Sequence, residues 1–155
     1  MTDLPWTLAE LLPHTGAAIL LDEVLACGDR GLSASVTIRP DSPFRQSSGI
    51  PAHVGIEYMA QACAAFSGVQ AQRDGAAPHI GFLLGTRRYA AKQAWFADGT
   101  RLVINVELVY RDNEIGVFDC AIVSNGNVVA TAQVVVAEPR DVAALLARED
   151  RLSDG

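Results

Sequence analysis

The chain has 155 residues, of which 50% are hydrophobic and 19% charged, a composition that suits one globular domain with a continuous core. Its net charge of −6 at pH 7 argues against nucleic-acid binding, because no basic surface is available to displace counterions from phosphates. Cys27, Cys63 and Cys120 lie far apart in apolar stretches, which excludes a disulfide framework or a metal-ligand spacing and predicts three buried thiols.

The amino-terminal residues have neither a basic leader nor the apolar core of a signal peptide. No window approaches the run of about 18 apolar residues that a membrane-spanning helix needs. The sequence therefore predicts a soluble, cytoplasmic protein that does not enter a membrane.

The first predicted elements are a short helix and a hairpin. Thr7 and Glu10 have capping-box spacing, so TLAELL is expected to form a helix that ends at Pro13 and covers the core. Residues 18–26 (AILLDEVLA) and 33–40 (SASVTIRP) are compatible with two paired strands. The next segment, through Pro51, is rich in Pro, Ser and Gly and is predicted to be an irregular loop.

A long helix is predicted over residues 53–72 (HVGIEYMAQACAAFSGVQAQ), with Pro51 suited to its first turn. Apolar side chains occur almost all the way around this helix rather than on one face. Such a pattern is typical of a buried helix, and a sheet is the expected surrounding.

Four strands are predicted after the polar turn at residues 72–78. They are IGFLLGTRRYAAK, RLVINVELVYR, IGVFDCAIV and VVATAQVVVA. In RLVINVELVYR one apolar face is predicted, comprising Leu102, Ile104, Val106, Leu108 and Tyr110. Turns are expected at residues 111–114 and at Asn125-Gly126, which makes the last strands an antiparallel meander.

A short terminal helix and a polar tail are predicted after Pro139. The elements together predict one α+β domain spanning residues 1–155, with a core at 12–138 and the helix and tail at 139–155. Its architecture would be a long central helix wrapped by a curved antiparallel sheet.

Glu57 is the conspicuous charge of the predicted helix, because a buried carboxylate is costly unless it is paired. His53, Glu57 and Gln61 would share one helix face. The small residues on the continuation of that face could form the floor of a narrow ligand-binding groove. They are Ala64, Ala65 and Gly68. Burial would favour the protonated form of Glu57, as in a general acid–base. Alternatively, Glu57 caps a loop, and His53 is a solvated residue of the first turn.

Three segments together resemble a known family. PAHVGIEYMAQA is similar to the PGVLxxEAxAQ segment of β-hydroxyacyl-acyl carrier protein dehydratases, with Pro51, Glu57 and Gln61 in register. LPHTGAAILLDEV resembles their LPHRxPFLLVDRV, and GFLLGTRRYAAK followed by ADGTRL resembles a later strand and the PGDxL turn. The segments VGIEYMAQA and IGFLLGTRRY resemble most closely the sequences of the dehydratase-like subunits of aryl-polyene and related polyketide pathways.

The resemblance implies a hotdog fold and assigns roles to individual residues. Glu57 would be the catalytic carboxylate and Gln61 its orienting neighbour. Ala52 and Gly55 would be substrate-binding residues, with backbone N–H groups near Ala52 and His53 donating to the thioester carbonyl. Free N–H groups at a helix start favour a developing oxyanion, which supports the last role on physical grounds.

One part of the family pattern is missing. The catalytic histidine of the family's GHFP motif corresponds to Pro43, which precedes Phe44. Three explanations remain open: His53 acts from the start of the helix, His14 reaches the site, or a partner subunit supplies the histidine.

The resemblance implies removal of water from a 3-hydroxyacyl thioester in fatty-acid or polyketide-type synthesis. No metal or redox cofactor is expected, since the phosphopantetheine arm belongs to the substrate, an acyl carrier protein or coenzyme A thioester. A homodimer or a heterodimer with another hotdog subunit is expected, and Arg87, Arg88 and Lys92 could contact an acidic carrier protein. The alternatives are an acyl thioesterase that uses Glu57 to activate water, and a catalytically incomplete partner subunit.

Overall fold

The computed structural model describes residues 4–12, 19–47, 49–75, 82–112 and 114–137. The predicted helix and tail at 139–155 lie outside these residues. The elements in chain order are α1 (Leu8–Leu11), β1 (Glu23–Cys27), β2 (Gly31–Thr37), β3 (Ile50–Pro51), a 3-10 turn (Ala52–Val54), α2 (Gly55–Arg73), β4 (Phe82–Ala91), β5 (Trp95–Phe96), β6 (Arg101–Arg111), β7 (Ile115–Ser124) and β8 (Asn127–Ala137).

The main sheet has six strands in the order β1-β2-β6-β7-β8-β4, and every neighbouring pair is antiparallel. Strands β3 and β5 form a separate antiparallel pair. Helix α2 packs against β2, β6, β7, β8 and β4. One long helix against a large antiparallel sheet is the predicted hotdog architecture, and the prediction is confirmed.

Short-range predictions hold in several places. Both halves of the capping box form, since Thr7 Oγ1 accepts from Glu10 N–H and the Glu10 side chain accepts from Thr7 N–H. Asn125 and Gly126 have φ values of 51° and 77°, as a tight hairpin turn between β7 and β8 requires. The β1–β2 hairpin also forms, but β1 begins at Glu23 rather than at residue 18.

Strand β6 corrects one prediction of burial. Its residues from Leu102 to Leu108 alternate as expected, with the even-numbered side chains buried. Tyr110, predicted to lie on the same apolar face, is 57% exposed. The register with β7 shifts between Leu108 and Tyr110, and such a bulge moves the following side chain off the buried face.

Helix α2 is buried on most of its circumference, as its sequence predicts. Its buried apolar side chains are Tyr58, Met59, Ala62, Cys63, Ala65, Phe66, Val69 and Ala71. The Sγ atoms of Cys63 and Cys120 lie 3.8 Å apart in the core between α2 and β7, and neither cysteine forms a disulfide. Cys27 is half-buried rather than fully buried. Among the described residues, no helix is both long and apolar enough to cross a membrane.

Candidate functional site

One strip of helix surface stays uncovered by the sheet. It runs along α2 and the preceding turn through His53, Ile56, Glu57, Ala60 and Ala64, each half-buried or exposed. Residues three and four apart share a helix face, so these positions form one continuous line, called here the α2 strip. Its only ionisable side chains are those of His53 and Glu57.

Glu57 is exposed in the protomer, and its burial in a site between subunits stays a prediction. All residues of α2 are described, and Glu57 and the terminal Arg73 are the exposed ones. Glu57 lies in the first turn of the helix, where a carboxylate interacts favourably with the positive end of the helix dipole. The protomer therefore holds this carboxylate at its surface, in an otherwise apolar and small-residue strip.

Gln61 does not share the exposed strip with Glu57. Its side chain is 3% exposed, and Oε1 accepts a hydrogen bond of 2.8 Å from the backbone N–H of Leu20. Gln61 thus anchors the segment that leads into β1 on the covered side of α2. Gln61 is buried where Glu57 is exposed, and its role beside Glu57 in the site stays a prediction.

The predicted groove floor also differs from the observed surface. Ala65 is completely buried, and Gly68 lies directly beneath the backbone of Leu11 in α1. A Cβ at Gly68 would stand 3.0 Å from the Leu11 carbonyl carbon, so the missing side chain allows α1 to pack closely on α2. Of the three small residues in the prediction, only Ala64 belongs to the strip.

The start of α2 is held by backbone and side-chain hydrogen bonds. The N–H of Ala52 donates to the carbonyl of Ala94 at 2.9 Å, and the N–H of Gly55 donates to carbonyls within the turn. The Tyr89 hydroxyl donates to the carbonyl of Ala52. The N–H groups of Ala52 and Gly55 are therefore engaged. The N–H of Val54 is used within the 3-10 turn, where each N–H donates to the carbonyl three residues earlier. The N–H of His53 is the remaining candidate oxyanion donor, because the first N–H groups of a helix lack partners within it.

Gly55 has a packing role in this arrangement. A Cβ at this position would lie 2.9 Å from Ile122 Cδ1 and closer still to the Tyr89 hydroxyl oxygen. Real Cβ contacts are not that short, so Gly55 lets Tyr89 reach the carbonyl of Ala52. Burial raises the pKa of Tyr89, which keeps its hydroxyl a donor at neutral pH.

The loop that would carry the family's histidine presents Pro43 and Phe44 instead. Phe44 is 60% exposed and has a left-handed φ of 68°. The loop is fixed by Arg45, whose Nε and Nη2 bind the carboxylate of Asp98 at distances of 2.6 to 3.2 Å. This ion pair lowers the pKa of Asp98. His53 is exposed, whereas His14 and His79 lie outside the described residues.

A basic cluster and a small cavity lie away from the α2 strip. Arg87, Arg88 and Lys92 are all exposed on or just after the edge strand β4. No group of three potential metal ligands occurs within the described part of the chain. A cavity of about 180 Å³ that the sequence did not indicate lies against Tyr58, on the covered side of α2.

Comparisons with known proteins agree on one family and one fold. Residues 6–147 match the family model described as ApeP-like, ApeP dehydratase. The dehydratase heterocomplex ApeI:P from Xenorhabdus doucetiae includes a chain with 28% identity and a TM-score of 0.85, covering 92% of this chain and 97% of that one. No curated protein matches the sequence.

More distant structures share the fold alone. AziG from S. sahachiroi is 18% identical with a TM-score of 0.60, covering 78% of this chain and 92% of that one. A hypothetical thioesterase from Streptococcus pneumoniae, solved with coenzyme A, is 14% identical with a TM-score of 0.61, covering 76% and 84%.

Proposed function

The chain belongs to the ApeP-like dehydratase family, and from that premise we propose that it removes water from 3-hydroxyacyl thioesters with Glu57 as the catalytic carboxylate. The pathway type is aryl-polyene or related polyketide synthesis, in keeping with the similarity to the ApeI:P heterocomplex. The substrate is an acyl chain on a carrier protein or on coenzyme A, whose pantetheine arm makes a separate cofactor unnecessary.

The observation that carries this proposal is the position of Glu57. It is the one carboxylate on a helix whose other exposed residue is the terminal Arg73. The neighbouring strip residues Ile56, Ala60 and Ala64 are apolar and mostly small, so an acyl chain or a second protein surface could pack beside the carboxylate. Covering the strip would remove Glu57 from bulk water and place it in a closed site, as suits an acid–base group.

The chemistry requires two proton transfers. A base takes the α-proton of the thioester, N–H groups at the helix start hold the enolate-like oxygen, and an acid protonates the departing hydroxyl. Glu57 can perform one transfer. An imidazole is the natural group for the other, and His53, one turn earlier on the same strip, is the candidate within the described residues.

A second hotdog subunit is part of the proposal. The α2 strip is uncovered in the protomer, and Pro43 stands where the family's histidine would be. The related ApeI:P structure is itself a heterocomplex. We therefore propose that a partner hotdog subunit covers the strip, and a histidine of that subunit is the alternative to His53 as the imidazole opposite Glu57. Cys63 and Cys120 form no disulfide, which fits a reducing cytoplasm as the place of action.

The deciding experiment measures loss of water from a 3-hydroxyacyl carrier protein by mass spectrometry. The protein is assayed alone and together with a hotdog dehydratase that contains the family's histidine. Glu57→Gln should lower turnover on the order of a hundredfold or more, as expected for loss of an acid–base group. Glu107→Gln is the matched control, because Glu107 is an exposed carboxylate on β6.

Two outcomes would contradict the proposal. Full turnover in Glu57→Gln would remove Glu57 from the chemistry. Release of free thiol without loss of water would indicate a thioesterase, in which Glu57 activates water instead. Activity that appears only after mixing with the partner would support the heteromeric form of the proposal.

A further inference from the structure

Strand β4 contains a bulge where it passes the start of α2. Its register with β8 shifts between Arg87 and Ala90, so that two residues of β4 lie opposite one residue of β8. The first of the two, Arg88, has a left-handed φ of 55°. This backbone conformation is unfavourable for a residue other than glycine and persists where the surrounding structure requires it. Bulges change the direction of a side chain, and the side chain affected here is that of Tyr89.

The bulge turns Tyr89 towards the helix. Alternate side chains of a regular strand share a face, so Tyr89 would otherwise lie on the outer face with the exposed Arg87. Tyr89 instead packs against the core, and its hydroxyl donates to the carbonyl of Ala52. Gly55 leaves room for this hydroxyl, because a Cβ at Gly55 would lie closest to the hydroxyl oxygen. The bulge and the glycine thus serve the same hydrogen bond.

The accepting carbonyl belongs to the peptide group that carries the candidate oxyanion donor. The C=O of Ala52 and the N–H of His53 are the two polar ends of one peptide group. This carbonyl also accepts from the N–H of Gly55 within the turn, so both of its lone pairs have a donor. Hydrogen bonds accepted by a carbonyl polarise the whole peptide group. The N–H of His53 is therefore a stronger donor while Tyr89 is bonded to Ala52.

The same hydrogen bonds fix the direction of this N–H. A peptide group is planar, and in the trans form its C=O and N–H point in opposite directions. Tyr89 holds the Ala52 carbonyl towards β4, so the N–H of His53 points away from β4. The preceding peptide is fixed as well, because the N–H of Ala52 donates to the carbonyl of Ala94 at 2.9 Å. A donor held in advance of the reaction is the arrangement that stabilises a developing oxyanion.

We propose that Tyr89 is a positioning residue for the dehydration, which orients and polarises the peptide group between Ala52 and His53 for donation to the enolate-like oxygen. The inference rests on the proposed function, since it requires a thioester oxygen at the start of α2. Tyr89 acts through the backbone and contacts no reacting atom. The bulge at Arg88 belongs to the same device, because it directs Tyr89 to the turn.

The first test compares Tyr89→Phe with wild type in the water-loss assay, on a 3-hydroxyacyl thioester of N-acetylcysteamine and in the form that is active, alone or with the partner. The value of kcat should fall about two- to tenfold, the range expected for one neutral hydrogen bond. KM should change little, because the oxyanion forms only after the substrate has bound. Tyr110→Phe is the matched control, since Tyr110 is 57% exposed on β6 and should keep the kcat of wild type.

The second test records the backbone amide resonances by NMR. In Tyr89→Phe the ¹⁵N resonance of His53 should move upfield, because the carbonyl of its peptide group loses a hydrogen bond. Arg88→Gly and Arg88→Val form an independent pair if Tyr89→Phe folds poorly. Both remove the same charge, but only valine disfavours the positive φ of the bulge. Arg88→Val should therefore have the lower kcat and the larger upfield shift at His53.

Three results would overturn the proposal. They are the kcat of wild type in Tyr89→Phe, a lower kcat with an unshifted His53 resonance, and equal kcat in Arg88→Gly and Arg88→Val. The second result would leave Tyr89 a purely structural role. A wild-type protein that removes no water from any 3-hydroxyacyl thioester would instead contradict the proposed function. The His53 resonance would still decide whether Tyr89 polarises this peptide group.

Discussion

Replacing Gly55 by alanine should destabilise the protein, although the same change inside a helix ordinarily stabilises it. The added Cβ would lie 2.9 Å from Ile122 Cδ1 and would press on the Tyr89 hydroxyl. Either Tyr89 withdraws from the carbonyl of Ala52 or the start of α2 moves away from the sheet. Both responses disturb the turn that positions His53 and Glu57.

The magnitude follows from three contributions. Overpacking against Ile122 costs about 1–3 kcal/mol. Loss of the Tyr89 to Ala52 hydrogen bond costs a further ~0.5–1.5 kcal/mol. The higher helix propensity of alanine offsets up to about 1 kcal/mol. A net loss of about 1–3 kcal/mol is expected, and each kcal/mol lowers Tm by about 2–4 °C for a chain of this length.

The assay is urea unfolding followed by circular dichroism, with Gly28→Ala as control because a Cβ at Gly28 meets nothing within 4 Å. The Cβ added by Gly55→Ala would lie closest to the Tyr89 hydroxyl oxygen, and Tyr89→Phe removes that oxygen. The double variant should therefore be less destabilised than the sum of the two single variants, by at least about 0.5 kcal/mol. A neutral Gly55→Ala, or strictly additive effects, would refute the packing role assigned to Gly55.

Three further predictions concern the site and its loop. If His53 and Glu57 act as a unit, His53→Ala and Glu57→Gln should each lower turnover on the order of a hundredfold, and the double variant little more; full activity in His53→Ala would instead point to a histidine elsewhere. The hydrogen bond from Arg45 lowers the pKa of Asp98 in the folded protein. The ion pair therefore stabilises the fold at pH values above the pKa of the carboxyl group in the unfolded chain. This stabilisation is lost as the pH falls through the lowered pKa of the folded protein. The Tm difference between wild type and Arg45→Ala should thus narrow below about pH 4, and a constant difference would contradict this. Phe44→Asn should raise the free energy of unfolding by about 0.5–1 kcal/mol, since asparagine tolerates a positive φ and Phe44 is mostly exposed. A lower free energy of unfolding than wild type in urea would contradict this.

The roles of the three histidines could not be decided from position in the sequence. The structure places His53 at the surface beside Glu57 and leaves His14 outside the described residues. Catalysis depends on distances between side chains from segments that are far apart in the chain. Sequence spacing along one helix shows only which residues of that helix share a face.

The sequence alone determined the elements whose signals are local. The capping box at Thr7 and Glu10, the turn at Asn125-Gly126 and the alternation along β6 each depend on residues a few positions apart, and all three occur in the structure. The burial of α2 was also predictable, because apolar residues around the whole helix leave no alternative to enclosure.

Only the tertiary structure decided which narrow face of α2 is left open. A helix that is apolar all round has no sequence signal for the uncovered side, so the sequence did not show that Gln61 is buried while Glu57 is exposed. The bulge that exposes Tyr110 and the cavity at Tyr58 likewise result from how distant strands meet. Exposure and hydrogen-bond partners are properties of packing between segments far apart in the chain, and local residue patterns do not specify them.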